Sequence, residues 1–484
     1  MDARSTPRRL TDADVVVVAG GGVCGLAFAR AMTMGTNGAR VVVLERDGSA
    51  RARRQGYGMT LSETNASLEG LGVKAACRAR NATSTAHWTF ARDGRILGYY
   101  GNAFTAPVEV GDGDLDGRGD GTAARGGGNL RVPRSALREI FLEMIPPATV
   151  RWGAEVSDYV EGEDGVTVTL ESGETVEGTI LVIADGARSS TRRAPGAGDD
   201  VKSGELRYLG VALVTGFTDL DDYLLKGRGF YTVDGRSRMF TMPFRAANEE
   251  AGTPPRSMWQ LSVRVSEDEA KELADASNDR IREFVLKHTK GWHDPISAMF
   301  DCTDWNDAWA GPLYDREEPP TSKSAATEKP HLALRSAKSR VICIGDAAHP
   351  MSPFKGQGAN TALFDAWALS KWLQKAPPQT ALACFHREMV ARAFVKVRAS
   401  REACEYFHNP NILSERVPEF AGVDPMKITV VLDALAERGV TASMRADIEP
   451  AVKEIIDELD AAELVRPYAA KKIMQRGKEG GVEV

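Results

Sequence analysis

Residues 14–35 read DVVVVAGGGVCGLAFARAMTMG, and their reading decides the fold. Val15–Val18 is an unbroken β-branched run, the pattern of a strand buried on both faces of a parallel sheet. Gly20-Gly21-Gly22-Val23-Cys24-Gly25 follows at once, a GxGxxG whose defining glycines are Gly20, Gly22 and Gly25. LAFARAMTMG then has helix-forming spacing, and a second apolar run, RVVVLERD, occupies 40–47. Together they make a βαβ unit.

Each part of that turn has a chemical reason. Gly20 makes the tight turn, Gly22 lets the backbone approach a pyrophosphate, and Gly25 permits close helix–strand packing. The helix start at Val23 and Cys24 offers free N–H groups and the positive end of a dipole to phosphate. Glu45 closes the next strand and can accept the two hydroxyls of an adenosine ribose. Its carboxylate would repel a 2′-phosphate, so the tightly held nucleotide is expected to be FAD or NAD rather than NADP. Cys24 reads as a small packing residue inside the turn.

The rest of the composition sets the frame. A chain of 484 residues holds two to four units, each with its own core. Hydrophobic residues at 43% and charged ones at 26% are ordinary for a globular protein. Lys+Arg of 61 against Asp+Glu of 67 gives a net charge of −6, which lacks the basic footprint of nucleic-acid binding. Six scattered cysteines without a CxxC, and histidines not clustered with them, indicate neither a disulfide framework nor a metal site. No apolar window is long enough to span a membrane, and the first residues lack the apolar core of a secretory signal. The expectation is a cytoplasmic protein.

Glycine is the one excess, 47 residues. Eight of them, with four aspartates, fall in 111–128 (GDGDLDGRGDGTAARGGG). That segment cannot bury enough apolar surface to offset its ordering entropy and reads as a flexible insertion, with a lid as the other reading. Further on, VTVTL (166–170) and TVEGTILVIAD (175–185) read as a hairpin running into a buried strand. GFYTV and RSRMFTMPF flank Asp234-Gly235, a hairpin signal. Helices are expected over 267–288, 358–375 and 380–407, and a polar loop over 316–330. In the tail, Ile448, Val452, Ile455, Ile456 and Leu459 share a helical face that is expected to pack on a core.

Two further turns stand at strand ends. Gly345-Asp346-Ala347-Ala348-His349-Pro350 follows the buried run RVICI and continues through Pro353, Gly356, Gln357, Gly358, Ala359 and Asn360. An aspartate there, before a glycine-rich turn into a helix, can set a carboxylate against a polyol and backbone amides against a ring. Asp185-Gly186-Ala187-Arg188-Ser189-Ser190-Thr191-Arg192 ends another strand.

With these three motifs in order, the sequence resembles the single-component FAD-dependent aromatic hydroxylases and related monooxygenases. That group includes p-hydroxybenzoate hydroxylase, salicylate hydroxylase, zeaxanthin epoxidase and the tetracycline-inactivating monooxygenases. The resemblance organises the stretch from 14 to about 405. It implies an α/β chain: a Rossmann-like FAD-binding domain in two parts, 12–199 and 331–405, an inserted α+β substrate domain of mixed sheet at 200–330, and a C-terminal helical extension at 406–484. It implies that Asp346 bonds the ribityl chain of FAD, that Pro353 and Gly356–Asn360 lie along the isoalloxazine, and that Asp185 sits under the pyrophosphate. Arg134 looks like the arginine opening the FAD-contacting helix, and Arg46 reaches the adenosine or a phosphate. Arg238 and Phe240 would face the ring or substrate, although Arg238 reads equally well as a solvated surface charge. His349 is expected to shape its loop rather than to catalyse.

The implied reaction is a monooxygenation. NAD(P)H reduces FAD, O₂ adds at flavin C4a, and the hydroperoxide hydroxylates or epoxidises an aromatic or other electron-rich apolar small molecule. No catalytic side chain is needed beyond those that orient the flavin and exclude water. The absence of a second GxGxxG after a strand leaves NADPH or NADH to dock transiently in a groove. Substrate is expected between the flavin and the 200–315 sheet, against Tyr231, Phe240, Met242, Met258 and Trp259. A monomer or homodimer is expected. Rival readings of the same architecture are a halogenase, whose WxWxIP signature Trp305-Asn-Asp-Ala-Trp309 does not match, and an FAD-dependent reductase or dehydrogenase.

Overall fold

The computed structural model describes residues 8–35, 38–52, 56–84, 86–101, 129–202, 204–246, 254–319, 339–413 and 425–461. The Gly/Asp-rich segment 111–128 and most of the expected 316–330 loop lie outside the described residues. The chain divides into two compact units. The first comprises Met1–Arg80, Val132–Leu209 and Leu313–Cys404; the second comprises Asn81–Arg131, Gly210–Pro312 and Glu405–Val484. The sequence reading assigned 81–131 to the nucleotide-binding part and set 406–484 apart. Contacts within the structure gather both segments into the second unit.

The first unit is built on a five-stranded sheet in the order Val341–Cys343, Ile180–Ile183, Val15–Ala19, Arg40–Glu45, Val150–Trp152. Every pairing is parallel. Val18 stands central, opposite Val182 on one side and Val43 on the other. Val16, Val17 and Val18 are wholly buried, as a two-sided parallel strand requires. The helix Val23–Thr33 lies against the helix Gly358–Lys375 and against Arg134–Met144. Residues 166–170 and 175–178 do form an antiparallel hairpin, with Val168 opposite Val176, and the chain runs from it into Ile180–Ile183.

The second unit holds most of a seven-stranded sheet ordered Trp309–Arg316, Leu206–Thr218, Arg256–Arg264, Ser237–Arg245, Arg228–Val233, Ala86–Ala91, Ile96–Gly101, of which Leu206–Leu209 and Leu313–Arg316 are counted with the first. Ala86–Ala91 pairs with Arg228–Val233 in parallel, and this non-local pairing places it in the second unit. The hairpin at 234–237 turns one residue later than Asp-Gly chemistry suggests. Val233 pairs with Arg238, the Asp234 N–H donates to the Ser237 carbonyl, and Gly235 takes φ +87°. Asp234 instead accepts from the Arg236 and Ser237 amides. The expected helix over 267–288 is two, Glu267–Ala274 and Asn278–His288, because Ser266 and Ser277 each cap one. In the tail helix Ile448–Ala461, Ile448, Val452 and Ile455 are buried, so that part of the expected stripe faces a core.

Candidate cofactor-binding site

The three sequence motifs meet in the first unit, and missing side chains bring them together. A Cβ on Gly20, which takes φ +103°, would lie 2.7 Å from the Asp185 Cα, so the first turn rests directly on the end of the Ile180–Ile183 strand. A Cβ on Gly25 would lie 2.0 Å from the Gly20 carbonyl oxygen, which holds the helix tight to the turn. A Cβ on Gly345 would lie 2.8 Å from the Cys24 sulfur. Arg192 in turn donates to the Ala347 carbonyl at 3.4 Å, tying the second and third motifs. Cys24 is therefore packing: burial first, then the charges of Asp365 and Asp346, push its thiol well above the usual range.

Two helices begin here without a side-chain cap. Gly22 precedes Val23–Thr33 and Gln357 precedes Gly358–Lys375, and neither supplies a capping bond. Their first-turn amides are left for a ligand. Glu45 is buried at the edge of the glycine turn, accepting from the Gly21 N–H at 2.6 Å and the Asp47 N–H at 2.9 Å. A carboxylate has lone pairs beyond these two bonds, enough to accept ribose hydroxyls. Arg134 opens the helix Arg134–Met144; its guanidinium lies 5.8 Å from the Tyr57 ring centre and passes close to Gly22. Arg46 is exposed.

Asp185 accepts from the Thr191 N–H through Oδ2 at 3.2 Å, while Oδ1 is buried with no partner. Burial raises its carboxyl pKa, and the hydrogen bonds of Ser189 and Thr191 oppose the rise. Asp346 keeps solvent contact although the protein around it raises its pKa, with His349 and Arg134 opposing and Asp365 adding to the effect. Behind it, Asp365 is wholly buried: it accepts from the Gly345 N–H at 2.9 Å, from His349 Nε2 at 2.6 Å and from Arg392 at 2.5 Å. His349, also wholly buried, thus braces the turn.

Pro353 is exposed, and Gly356, Gly358 and Ala359 are half-buried along the turn, with Gly356 at φ +61°. The Asn360 side chain turns away from ligand duty. Its amide donates to the Thr60 and Gly356 carbonyls at 2.8 and 2.9 Å, and its oxygen accepts from the Ser62 N–H at 2.9 Å. Only the Asn360 backbone is left to meet a cofactor; the side chain fastens the turn to the strand Gly58–Ser62.

Arg238 and Phe240 belong to the second unit. Arg238 is no surface charge: it is buried, its guanidinium about equidistant from the Tyr231, Phe240 and Phe407 rings at 4.9, 5.0 and 5.1 Å. His87 stacks on Phe240 at 5.8 Å, and burial, with Arg131 and Arg238 adding to it, holds its pKa well below the usual histidine range. Phe240 and Tyr231 stay half-exposed, whereas Met242, Met258 and Trp259 are core. Trp259 pairs across from Thr241 and so faces away from Phe240, donating to the Thr303 hydroxyl at 3.0 Å.

Sequence reasoning missed Tyr57, Asp365, Arg392 and Arg138. Asp365 and Arg392 meet only when the helix Pro378–Phe407 folds back beside Gly358–Lys375, bringing together side chains 27 positions apart. Arg138 had a signal, since it stands four residues after Arg134 on one helix face.

A sequence profile described as "FAD binding domain" matches residues 12–309 and 311–393. The chain is 29% identical over 376 residues to zeaxanthin epoxidase, chloroplastic, of Solanum lycopersicum, covering 76% of this chain and 49% of that protein. It thus spans about half the length of that relative. It is 27% identical over 409 residues to 3-amino-4-hydroxybenzoate 2-monooxygenase PtnB3 of Streptomyces platensis, covering 82% and 89%. Among solved structures, Klebsiella pneumoniae HpxO complexed with FAD and uric acid superposes with a TM-score of 0.65 at 19% identity, covering 91% of this chain and 96% of that one. At that identity the likeness speaks for the fold.

Proposed function

The chain belongs to the FAD binding domain family, and from that membership we propose that it is an FAD-dependent monooxygenase using NAD(P)H and O₂ on an aromatic or other electron-rich apolar small molecule. One observation carries the reading: three strand-end turns converge on two uncapped helix starts, beside a buried and partnerless Asp185 oxygen. That donor set suits a flavin dinucleotide. Backbone amides at Gly22, Val23, Cys24 and Gly25 would take the pyrophosphate, with Asp185 beneath it able to receive a donor. Glu45 would take ribose hydroxyls, Arg134 and exposed Arg46 would add positive charge, and Asp346 would meet the ribityl chain. Pro353, Gly356, Gly358, Ala359 and the Asn360 backbone would border the ring.

When bound, FAD supplies electron exchange with the nicotinamide and activation of O₂. The protein's own share is to orient, to hold charge and to exclude water. Uncapped amides stabilise negative charge that develops beside them, and Asp365 with His349 keeps the Asp346 turn from shifting. In the second unit, Phe240 and Tyr231 would offer apolar surface to substrate, with Arg238 holding them from behind. Among the described residues no helix is long and apolar enough to cross a membrane, and no group of three or more His, Cys, Asp or Glu residues could hold a metal ion. A cytoplasmic monomer or homodimer completes the proposal.

The test is substrate-stimulated NAD(P)H oxidation by the flavin-loaded protein, with and without O₂, across phenolic, indolic and polyketide compounds. Oxygen-dependent turnover with an oxygenated product is expected. Turnover that persists anaerobically with a reduced product would sink the monooxygenase reading.

A further inference from the structure

We infer that Arg138 is a positioning residue for the dinucleotide turn, setting the direction of the Gly22 N–H before any cofactor arrives. The Gly21 residue is held at both of its polar atoms. Its N–H donates to Glu45 Oε2 at 2.6 Å, and its carbonyl accepts from Arg138 Nε at 2.9 Å. A trans peptide points the carbonyl of one residue and the N–H of the next to opposite sides. Fixing the Gly21 carbonyl toward Arg138 therefore fixes the Gly22 N–H away from it, at the start of the uncapped helix Val23–Thr33. The same guanidinium donates to the Ala50 carbonyl at 2.8 Å and lies 3.9 Å from Asp47. It also lies 5.2 Å from the Trp152 ring centre. Arg138 so bridges the glycine turn and the 47–50 segment, the two loops bordering Glu45, while its fork geometry supplies bonds a lysine ammonium could not all reproduce. A side chain at Gly21 would press on Glu45, since a Cβ there would lie 3.0 Å from it and Glu45 would have to give way.

The inference rests on FAD binding as proposed above. Protein stripped of flavin is titrated with FAD, ADP and FMN, ADP probing the turn alone and FMN the ring end alone. Arg138→Met keeps the apolar stem against Trp152 and removes the bonds. It should weaken FAD and ADP by about ten- to hundredfold, as for loss of a hydrogen bond to a charged group, with FMN affinity unchanged. Arg138→Lys should recover part of the ADP affinity. ADP binding equal to wild type in either variant overturns the inference, as does a parallel fall of ADP affinity, FMN affinity and apo melting temperature. If Arg138→Met does not fold, Arg138→Lys decides the matter by its ADP affinity. Wild-type protein that takes up neither FAD nor ADP would instead overturn the cofactor reading, and the inference with it.

Discussion

Asp365 shows how a residue with no expected role can hold a site together. Its carboxylate is wholly buried, yet its pKa is lowered: burial pushes it up, and His349 and Arg392 outweigh that push. A folded pKa below the unfolded one contributes stability that is present above the unfolded value and is lost as pH falls through the folded value. We expect Asp365→Asn to cost roughly 3 kcal/mol near neutral pH, the scale for leaving a buried partner unmatched. The gap to wild type should narrow as pH drops below about 4, the ordinary aspartate range. Thermal unfolding across a pH series checks this, and a gap constant down to acid pH would contradict it. Asp185 and Asp346, whose pKa values are raised, work with the opposite sign and favour protonation in the folded protein.

Among the elements, the pair Glu267–Ala274 and Asn278–His288 illustrates local logic winning over periodicity. Ser277 accepts from the Arg280 N–H at 3.3 Å, a capping bond that starts a new helix where the apolar spacing alone continues the old one. We expect Ser277→Ala to lower stability by about 1 kcal/mol and to leave flavin affinity untouched, read by melting temperature and FAD titration side by side. The elements legible in the sequence were those whose signals are local. The strand Val15–Ala19, its glycine turn and its helix announce themselves through β-branched residues and missing side chains. The outward or inward sense of Trp259 was not legible, because it depends on a pairing with Thr241 set by register in the sheet. Nor was the inward turn of the Asn360 amide, whose acceptor on Thr60 is 300 residues away.

For the molecule as a whole, the tail is a working part of the second unit. Glu449 accepts from Arg228 at 2.8 and 2.9 Å and from the Tyr223 hydroxyl at 2.7 Å, binding the last described helix to residues some 220 positions earlier. Burial first, then this carboxylate, pushes the Tyr223 pKa up to about 12. Glu449→Gln should bring that titration down toward the ordinary tyrosine value and cost about 1–2 kcal/mol, as for losing charge-assisted hydrogen bonds. An ultraviolet pH titration compared with wild type reads the first effect and denaturant unfolding the second. An unshifted tyrosine would mean that the tail is not seated as described.

The edge strand Val341–Cys343 carries a consequence for how the protein is made. A chain leaving the ribosome from its N-terminus exposes the Ile180–Ile183 strand long before its neighbour in the sheet has been translated. Until then the nascent parallel sheet has an open, fully apolar margin, and neither the Asp346 turn nor the second uncapped helix start exists. Unpaired margins of this kind are where incomplete chains stick to one another, so chains halted before Val341–Cys343 are expected to self-associate, and the cofactor turns cannot all be in place until Asn360 has been translated.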